Sequence, residues 1–166
     1  MAPETAEMRE PEVGLVRLGR RPVAASQGDP SWMLGVWRLV SAQVRYDDTG
    51  EAHDLHGPDP QGFLIFNPEG RVSVIITASG RTPPADDAEA ATLFLIMSAY
   101  TGRFTVAENR IIIEVDAAWH PAWEGRRQTW FYELEGNRLT VKTEMQDHPF
   151  HPGLQLQGTM VWTRNR

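Results

Sequence analysis

The sequence predicts an all-β domain, an antiparallel barrel or sandwich with one main α-helix. β-rich runs recur about every ten residues from Trp32 to the end of the chain, and short turn sequences separate them. A single stretch interrupts this pattern with good helix formers. The 166 residues suit one domain, and a chain of this length can bury a core without disulfides.

Composition excludes several classes of function. Sixteen basic residues stand against 22 acidic ones, for a net charge of −6, which argues against nucleic-acid binding. The absence of cysteine excludes disulfides, thiolate metal sites and cysteine nucleophiles. No apolar run is long enough for a membrane span, and the N-terminal region lacks a secretory core. We therefore expect a cytoplasmic protein that does not bind membranes.

Residues 1–30 carry little periodicity and are rich in charge, proline and glycine. We interpret them as an N-terminal tail, with a strap that closes over a pocket mouth as the alternative. Residues 31–166 form the predicted domain.

The first strands and their hairpin are marked clearly. The run "GVWRLVSAQVRY" alternates and is rich in valine and aromatic residues, which predicts a strand over Gly35–Tyr46. Two further β-rich runs, at 62–66 and 71–77, flank the turn sequence Asn67-Pro68-Glu69-Gly70. These residues are typical of a hairpin.

The helix is predicted over residues 86–97. Pro83-Pro84 ends the preceding strand, and Asp86 or Asp87 can cap the helix N-terminus. We expect this helix to close one end of the domain. Strands then resume, at 100–106, 110–119, 126–134, 138–145 and 154–164.

Alternation along these strands sorts their side chains into an apolar inner face and a polar outer face. The carboxylates Glu114 and Asp116 fall on the outer face, where they can pair with Arg127. The inner faces carry a large aromatic set with one amide, and we predict that it lines one cavity: Tyr100, Phe104, Trp119, Gln128, Trp130 and Tyr132. Leu134 follows on the same face.

The chain resembles a family of small bacterial lipocalin-like domain proteins. The matching pieces are "GVWRLVSAQV", "GFLIFNPEGRVSV", "YTGRFTV", "WHPAWEGRRQTWFYELEGNRLTV" and the closing "VWTR", over roughly residues 32–164. The resemblance implies a lipocalin-like β-barrel of about eight antiparallel strands that binds a ligand. Related barrels serve as cyclases or isomerases in natural-product biosynthesis.

The resemblance also implies an inward Trp37 near the closed end, covered by Arg164. If Trp37 points inward, strict alternation carries Leu39, Ser41, Gln43 and Arg45 inward too. We therefore predict Gln43 and Arg45 as ligand-binding residues near the mouth, although one β-bulge would reverse this assignment.

Histidines offer weaker signals. His120 could act as a general base at the barrel rim or simply end a strand, and Trp123 could stack on a ligand or seal the rim. The histidines of the pairs His53/His56 and His148/His151 are each three residues apart, which could suit a metal ion. No third potential metal ligand follows at a spacing typical of metal sites. We predict no metal and no cofactor.

Two functions fit these observations. In the first, the barrel binds a small apolar or aromatic ligand with a polar head. In the second, it is a cofactor-independent cyclase or isomerase acting on a polyketide-like substrate, with Gln128, Tyr132 and His120 as catalytic candidates. A structural subunit with a filled barrel stays open, as does a homodimer.

Overall fold

The computed structural model describes residues 30–148 and 150–164. Over these residues the chain forms ten β-strands and one α-helix, with short 3-10 turns at Pro30–Met33 and Pro121–Trp123. The elements are β1 (Gly35–Tyr46), β2 (Ala52–Asp54), β3 (Gln61–Phe66), β4 (Arg71–Thr77), α1 (Asp87–Leu95), β5 (Met97–Ala107), β6 (Arg110–Ala118), β7 (Arg127–Glu135), β8 (Arg138–Thr143), β9 (Gln146–Asp147) and β10 (Gln155–Arg164).

Eight of these strands close into an antiparallel barrel. They follow the order β1-β3-β4-β5-β6-β7-β8-β10, and β10 pairs back onto β1. The prediction of an all-β barrel of about eight strands is confirmed. The short strands β2 and β9 extend the sheet beside β1 and β10, and they are too short for alternation to reveal them.

The hairpin and the helix cap form as the sequence predicts. Gly70 adopts a positive φ of 79°, and the Asn67 side chain accepts a hydrogen bond from the Arg71 backbone N–H at 2.8 Å. Asp86 caps α1 by accepting from the Glu89 N–H at 2.9 Å. The helix ends at Leu95, two residues early, because Met97 already pairs with Thr77 in the sheet.

The end of the barrel near the start of β1 is filled with side chains. Trp37 is buried there, and its Nε1–H donates to the Met33 carbonyl at 2.8 Å. The Arg164 guanidinium lies 4.7 Å from the Trp37 ring centre and donates to the Trp32 carbonyl. The expected cover of Trp37 by Arg164 is confirmed, and this end is called the closed end below.

The inward assignment of Gln43 and Arg45 is wrong. The register between β1 and β10 shifts between Leu39 and Ser41, which is a β-bulge. Beyond this bulge Ala42 and Val44 are buried, while Gln43 and Arg45 are exposed. The extra residue reverses the alternation, so every later side chain on the strand changes face.

Two further expectations concern the rest of the molecule. The tail or strap was predicted for residues 1–30, and residues 1–29 lie outside the described part of the chain. Within the described residues, no helix is long and apolar enough to cross a membrane.

Candidate functional site

A cavity of about 300 Å³ occupies the half of the barrel opposite the closed end. Val44 of β1, Ile76 of β4 and Leu156 of β10 contribute to its apolar wall, and Leu95 of α1 borders it. Because Trp37, Phe66 and Leu139 fill the other half, the cavity belongs to one end of the barrel. Ligand pockets for small molecules begin at about this volume.

One wall of the cavity is a continuous series of aromatic rings. Trp130 meets Tyr100 edge to face with ring centres 6.5 Å apart. Tyr100 then lies 5.2 Å from Trp123, which lies 5.2 Å from Trp119 at the mouth. Aromatic pairs favour these tilted and edge-on arrangements, so the rings of this wall pack against one another.

Strand geometry and one turn together build this wall. Gln128 and Trp130 stand two residues apart on β7, and the two-residue period turns both side chains inward. A 3-10 turn follows β6; Trp119 precedes it and Trp123 is its last residue. His120 caps this turn, because its side chain accepts from the Ala122 N–H at 3.1 Å. The Trp119 Nε1–H donates to the Phe94 carbonyl at 3.2 Å, which joins this wall to α1.

Hydrogen-bond donors without partners lie deep in the cavity wall. Gln128 is 4% exposed and borders the cavity, and no side-chain hydrogen bond joins its amide to the described residues. The Trp130 Nε1–H lacks a partner among them, as does the Trp162 Nε1–H in the filled half. Burial raises the pKa of Tyr100, so its hydroxyl stays protonated. Unpaired buried polar groups are costly, which makes them informative about what the cavity accepts.

His56 faces the same cavity from the loop after β2. Its Nδ1 lies 3.1 Å from the Ile96 carbonyl oxygen, and its Nε2 lies 3.5 Å from the Ser98 hydroxyl. A carbonyl accepts and never donates, so Nδ1 carries the proton and Nε2 carries the lone pair. Burial lowers the pKa of His56, which keeps the ring neutral near pH 7.

Comparison with protein families agrees with this architecture. A family model described as "lipocalin-like domain" matches residues 34–165, which includes all ten strands. The chain belongs to the lipocalin-like domain family. A search of curated proteins found no match. The lipocalin-like barrel is consistent with small-molecule binding.

The lipocalin-like domain brings together four of the residues predicted to line its cavity, together with one residue predicted at the rim, Trp123. They are Tyr100, Trp119, Trp123, Gln128 and Trp130. A bulge at Asp116 of β6 turns Ala117 outward, although it was predicted on the same face as Trp119. Trp119 lies beyond the end of β6, where strand alternation no longer applies, and it borders the cavity.

Four predicted residues lie elsewhere. Phe104 packs edge-on against Phe66 in the filled half, with ring centres 4.9 Å apart. Tyr132 packs on Trp32 near the closed end, and its hydroxyl donates to the Glu108 carbonyl at 3.0 Å. Their predicted place in the cavity is wrong because both stand too near the closed end. Leu134 is 40% exposed, so its inward assignment is also wrong. Arg45 lies outside the cavity.

Gln43 and His120 mark the edges of the site. Gln43 borders the cavity, but its exposed amide donates to Asp54 at 3.3 Å. His120 lies at the rim, as expected, with its ring 4.8 Å from that of Phe150, and it does not line the cavity. The prediction that either contacts a ligand stays a prediction.

The two histidine pairs have different places. His148 and His151 lie at the mouth with ring centres 4.5 Å apart, and His148 Nδ1 accepts from two backbone N–H groups. His53 is exposed, whereas His56 is buried. Among the described residues, no group of three or more histidine or carboxylate side chains is placed to hold a metal ion.

Sequence reasoning missed His56 and Ser98 as site residues. His56 is 40 positions from the Ile96 carbonyl that orients it, and its loop carries no periodic pattern. The only signal was the pairing of a histidine with an apolar neighbour, Leu55, which also borders the cavity.

Proposed function

We propose that this barrel binds a small molecule with an apolar, ring-containing body and one carbonyl group as its polar head. The observation that carries the proposal is the side chain of Gln128, which borders an aromatic cavity and forms no side-chain hydrogen bond with the described residues. A ligand acceptor would remove the cost of leaving that donor unpaired.

The aromatic wall of the cavity favours a ligand with a flat, ring-containing body. Trp119, Trp123, Tyr100 and Trp130 present ring faces and edges along one side, and Val44 and Ile76 are among the aliphatic side chains of the remaining surface. A flat unsaturated ring gains more from such a wall than a branched chain of the same volume, because it stacks as well as packs. The volume of about 300 Å³ suits one or two fused rings.

The hydrogen-bond donors that border the cavity favour a neutral carbonyl as the head group of the ligand. Gln128 and Tyr100 border the cavity, and each can donate a hydrogen bond to a ligand there. Among the described residues that line it, none is a lysine or arginine. A carboxylate would enter without a countercharge at a high desolvation cost, so a neutral carbonyl fits better than an acid.

The test uses 2-tetralone, a fused bicyclic ketone, as the probe. We expect its titration to quench tryptophan fluorescence with saturation, because three tryptophans line the cavity. Gln128→Leu nearly preserves volume and should weaken binding by about 0.5–1.5 kcal/mol, the value of one neutral hydrogen bond. Gln61→Leu is the matched control, because Gln61 is exposed on β3.

If 2-tetralone does not quench the tryptophan fluorescence, or quenches it without saturation, the proposal is contradicted and a filled, structural barrel is favoured. Equal affinities for wild type and Gln128→Leu would leave ring binding intact but remove the assigned head-group contact. Native mass spectrometry of gently purified protein provides an independent check through a retained ligand mass.

A cofactor-independent cyclase or isomerase is the second candidate function. The observation that favours it over simple binding is His56, which borders the cavity and whose Nε2 has a long, 3.5 Å contact with the Ser98 hydroxyl. A binding module has no need of a buried, oriented base. The two functions differ in one respect that can be measured, which is whether the bound molecule reacts.

A further inference from the structure

We propose that His56 is the proton-transferring group of this cavity, acting on a carbon–hydrogen bond next to a ketone carbonyl. The inference rests on the proposed binding of a carbonyl ligand and names the reaction class and the base. It assigns the enzymatic role to the inner wall of the cavity rather than to His120 at the rim.

The geometry of His56 is that of an oriented base. The Ile96 carbonyl holds Nδ1–H at 3.1 Å, which fixes both the ring plane and the tautomer. The opposite nitrogen, Nε2, therefore directs its lone pair towards Ser98 and the cavity. At 3.5 Å the Ser98 contact is long, so a substrate proton can compete with the hydroxyl for this lone pair.

The other ionisable groups of the cavity are less suited to the role. Tyr100 is held protonated by burial, which leaves it as a donor. His148 uses Nδ1 to accept two backbone N–H groups at the mouth, and His151 is exposed there. Among the described lining residues there is no aspartate or glutamate. His56 is the one buried base within this set.

The proton transfer balances without any cofactor. Nε2 of His56 takes the proton from the carbon next to the carbonyl, and the electrons of that bond form the carbon–carbon double bond of an enolate. The carbonyl π electrons move onto oxygen, where the Gln128 amide and the Tyr100 hydroxyl can donate to the developing charge. The imidazolium then returns the proton to the same carbon or to a conjugated one, which regenerates His56. Enolisable ring ketones are the substrate class.

The experiment measures deuterium uptake at the carbon atoms next to the carbonyl of 2-tetralone in D₂O, by mass spectrometry. We expect wild type to exceed the buffer rate, and His56→Gln to lose about 10²-fold or more of that gain in kcat. Glutamine can still donate to the Ile96 carbonyl, so KM for 2-tetralone should change little. His53→Gln is the matched control, because His53 is exposed and lies outside the cavity.

A second measurement does not depend on the variant folding. The wild-type rate should fall in acid as His56 becomes protonated, and it should level off above a pKa lower than that of free histidine, about 6.5. The pKa of His148 is also lowered, so His148 could cause a similar pH dependence. If His56 is the base, His148→Gln should show the same pH profile as wild type.

The outcomes separate the two proposals. Binding of 2-tetralone with exchange no faster than buffer overturns the role of His56 and leaves the binding function standing. Equal exchange by wild type and His56→Gln, or a rate independent of pH, also overturns it. Failure of 2-tetralone to bind removes both proposals.

Discussion

At the scale of single residues, the interior of the barrel is mostly apolar and contains a small number of buried polar side chains. His56, Gln128 and Thr143 are its buried polar side chains within the described residues. The Thr143 hydroxyl accepts from the Gly158 N–H of the neighbouring strand at 2.8 Å, whereas the Gln128 amide forms no side-chain hydrogen bond with the described residues. His56 is intermediate, because its Nδ1–H donates to the Ile96 carbonyl whereas its Nε2 has only a long contact with the Ser98 hydroxyl among the described residues.

Burial of neutral His56 has a consequence for stability in acid. Because its pKa is lower in the folded chain, the unfolded chain takes up a proton first as the pH falls below about 6.5. The free energy of unfolding should therefore fall from about pH 7 to about pH 5, and His56→Gln should reduce that fall. Urea denaturation at the two pH values measures it.

His148 contributes in the same direction, so part of the acid dependence should remain in His56→Gln. His53→Gln, at an exposed site, should behave as wild type in the same experiment. Identical pH dependence in wild type and His56→Gln would contradict the buried, neutral state of this histidine.

Trp37 carries the largest predicted stability effect at the closed end. It is 1% exposed, bonded to Met33 and covered by Arg164. Trp37→Ala should lower the free energy of unfolding by about 3–5 kcal/mol, as expected for a buried large aromatic. Val40→Ala, at a side chain 46% exposed on the same strand, should stay within about 0.5 kcal/mol. Equal denaturation midpoints for the two variants would refute this packing.

At the scale of elements, two bulges determine which side chains reach the cavity. The bulge in β1 reverses alternation after Leu39, and a second irregularity lies between Thr101 and Gly102 of β5, opposite Asp116 of β6. Asp116 points outward, where it forms an ion pair with Arg71 at 2.7 Å. Glu114 pairs with Arg127 on the same outer face at 2.7 Å, as the sequence predicted.

The second bulge requires a glycine. A Cβ built at Gly102 would lie 2.2 Å from the Glu114 carbonyl oxygen, whereas a Cβ at Gly158 would meet Thr143 at an ordinary 3.5 Å. Gly102→Ala should therefore cost about 1–3 kcal/mol of stability, and Gly158→Ala should cost little. Thermal unfolding compares these two inward-facing glycines directly. Similar melting temperatures for both variants would show that β5 and β6 do not approach so closely.

The sequence predicted features that depend on neighbouring residues. Strand β1 was predicted with its observed bounds, and the turn at Asn67 and the cap at Asp86 form through contacts within four residues. Alternation failed wherever a bulge intervened, because one inserted residue leaves no mark in the pattern of apolar residues. Gln43 and Arg45 were misassigned for this reason. Leu134 lies on β7, where no bulge occurs, and the last three residues of that strand are all exposed.

The candidate site was only partly predictable for a related reason. Alternation identified Gln128 and Trp130 correctly, since no bulge separates them on β7. It could not tell which half of the barrel an inward residue occupies, so Phe104 and Tyr132 were placed in the cavity with the others. His56 depends on contacts with the Ile96 carbonyl and the Ser98 hydroxyl, which lie about 40 residues away in the chain, and no local pattern encodes them.

At the scale of the whole molecule, the barrel has a filled half and a hollow half, and its six tryptophans are divided between them. Trp32, Trp37 and Trp162 belong to the filled half, while Trp119, Trp123 and Trp130 line the cavity. The indole N–H groups therefore report separately on each end of the barrel. This division rests on the interior packing, and it holds whether the cavity binds or transforms its ligand.

The most direct test is a two-dimensional ¹H–¹⁵N NMR titration of the indole N–H signals with 2-tetralone. We predict that the signals of Trp119, Trp123 and Trp130 move with saturation, because these three rings line the cavity. The signals of Trp32, Trp37 and Trp162 should stay in place. Saturable movement confined to Trp32, Trp37 or Trp162, or no movement of any indole signal, would contradict a binding site in the hollow half.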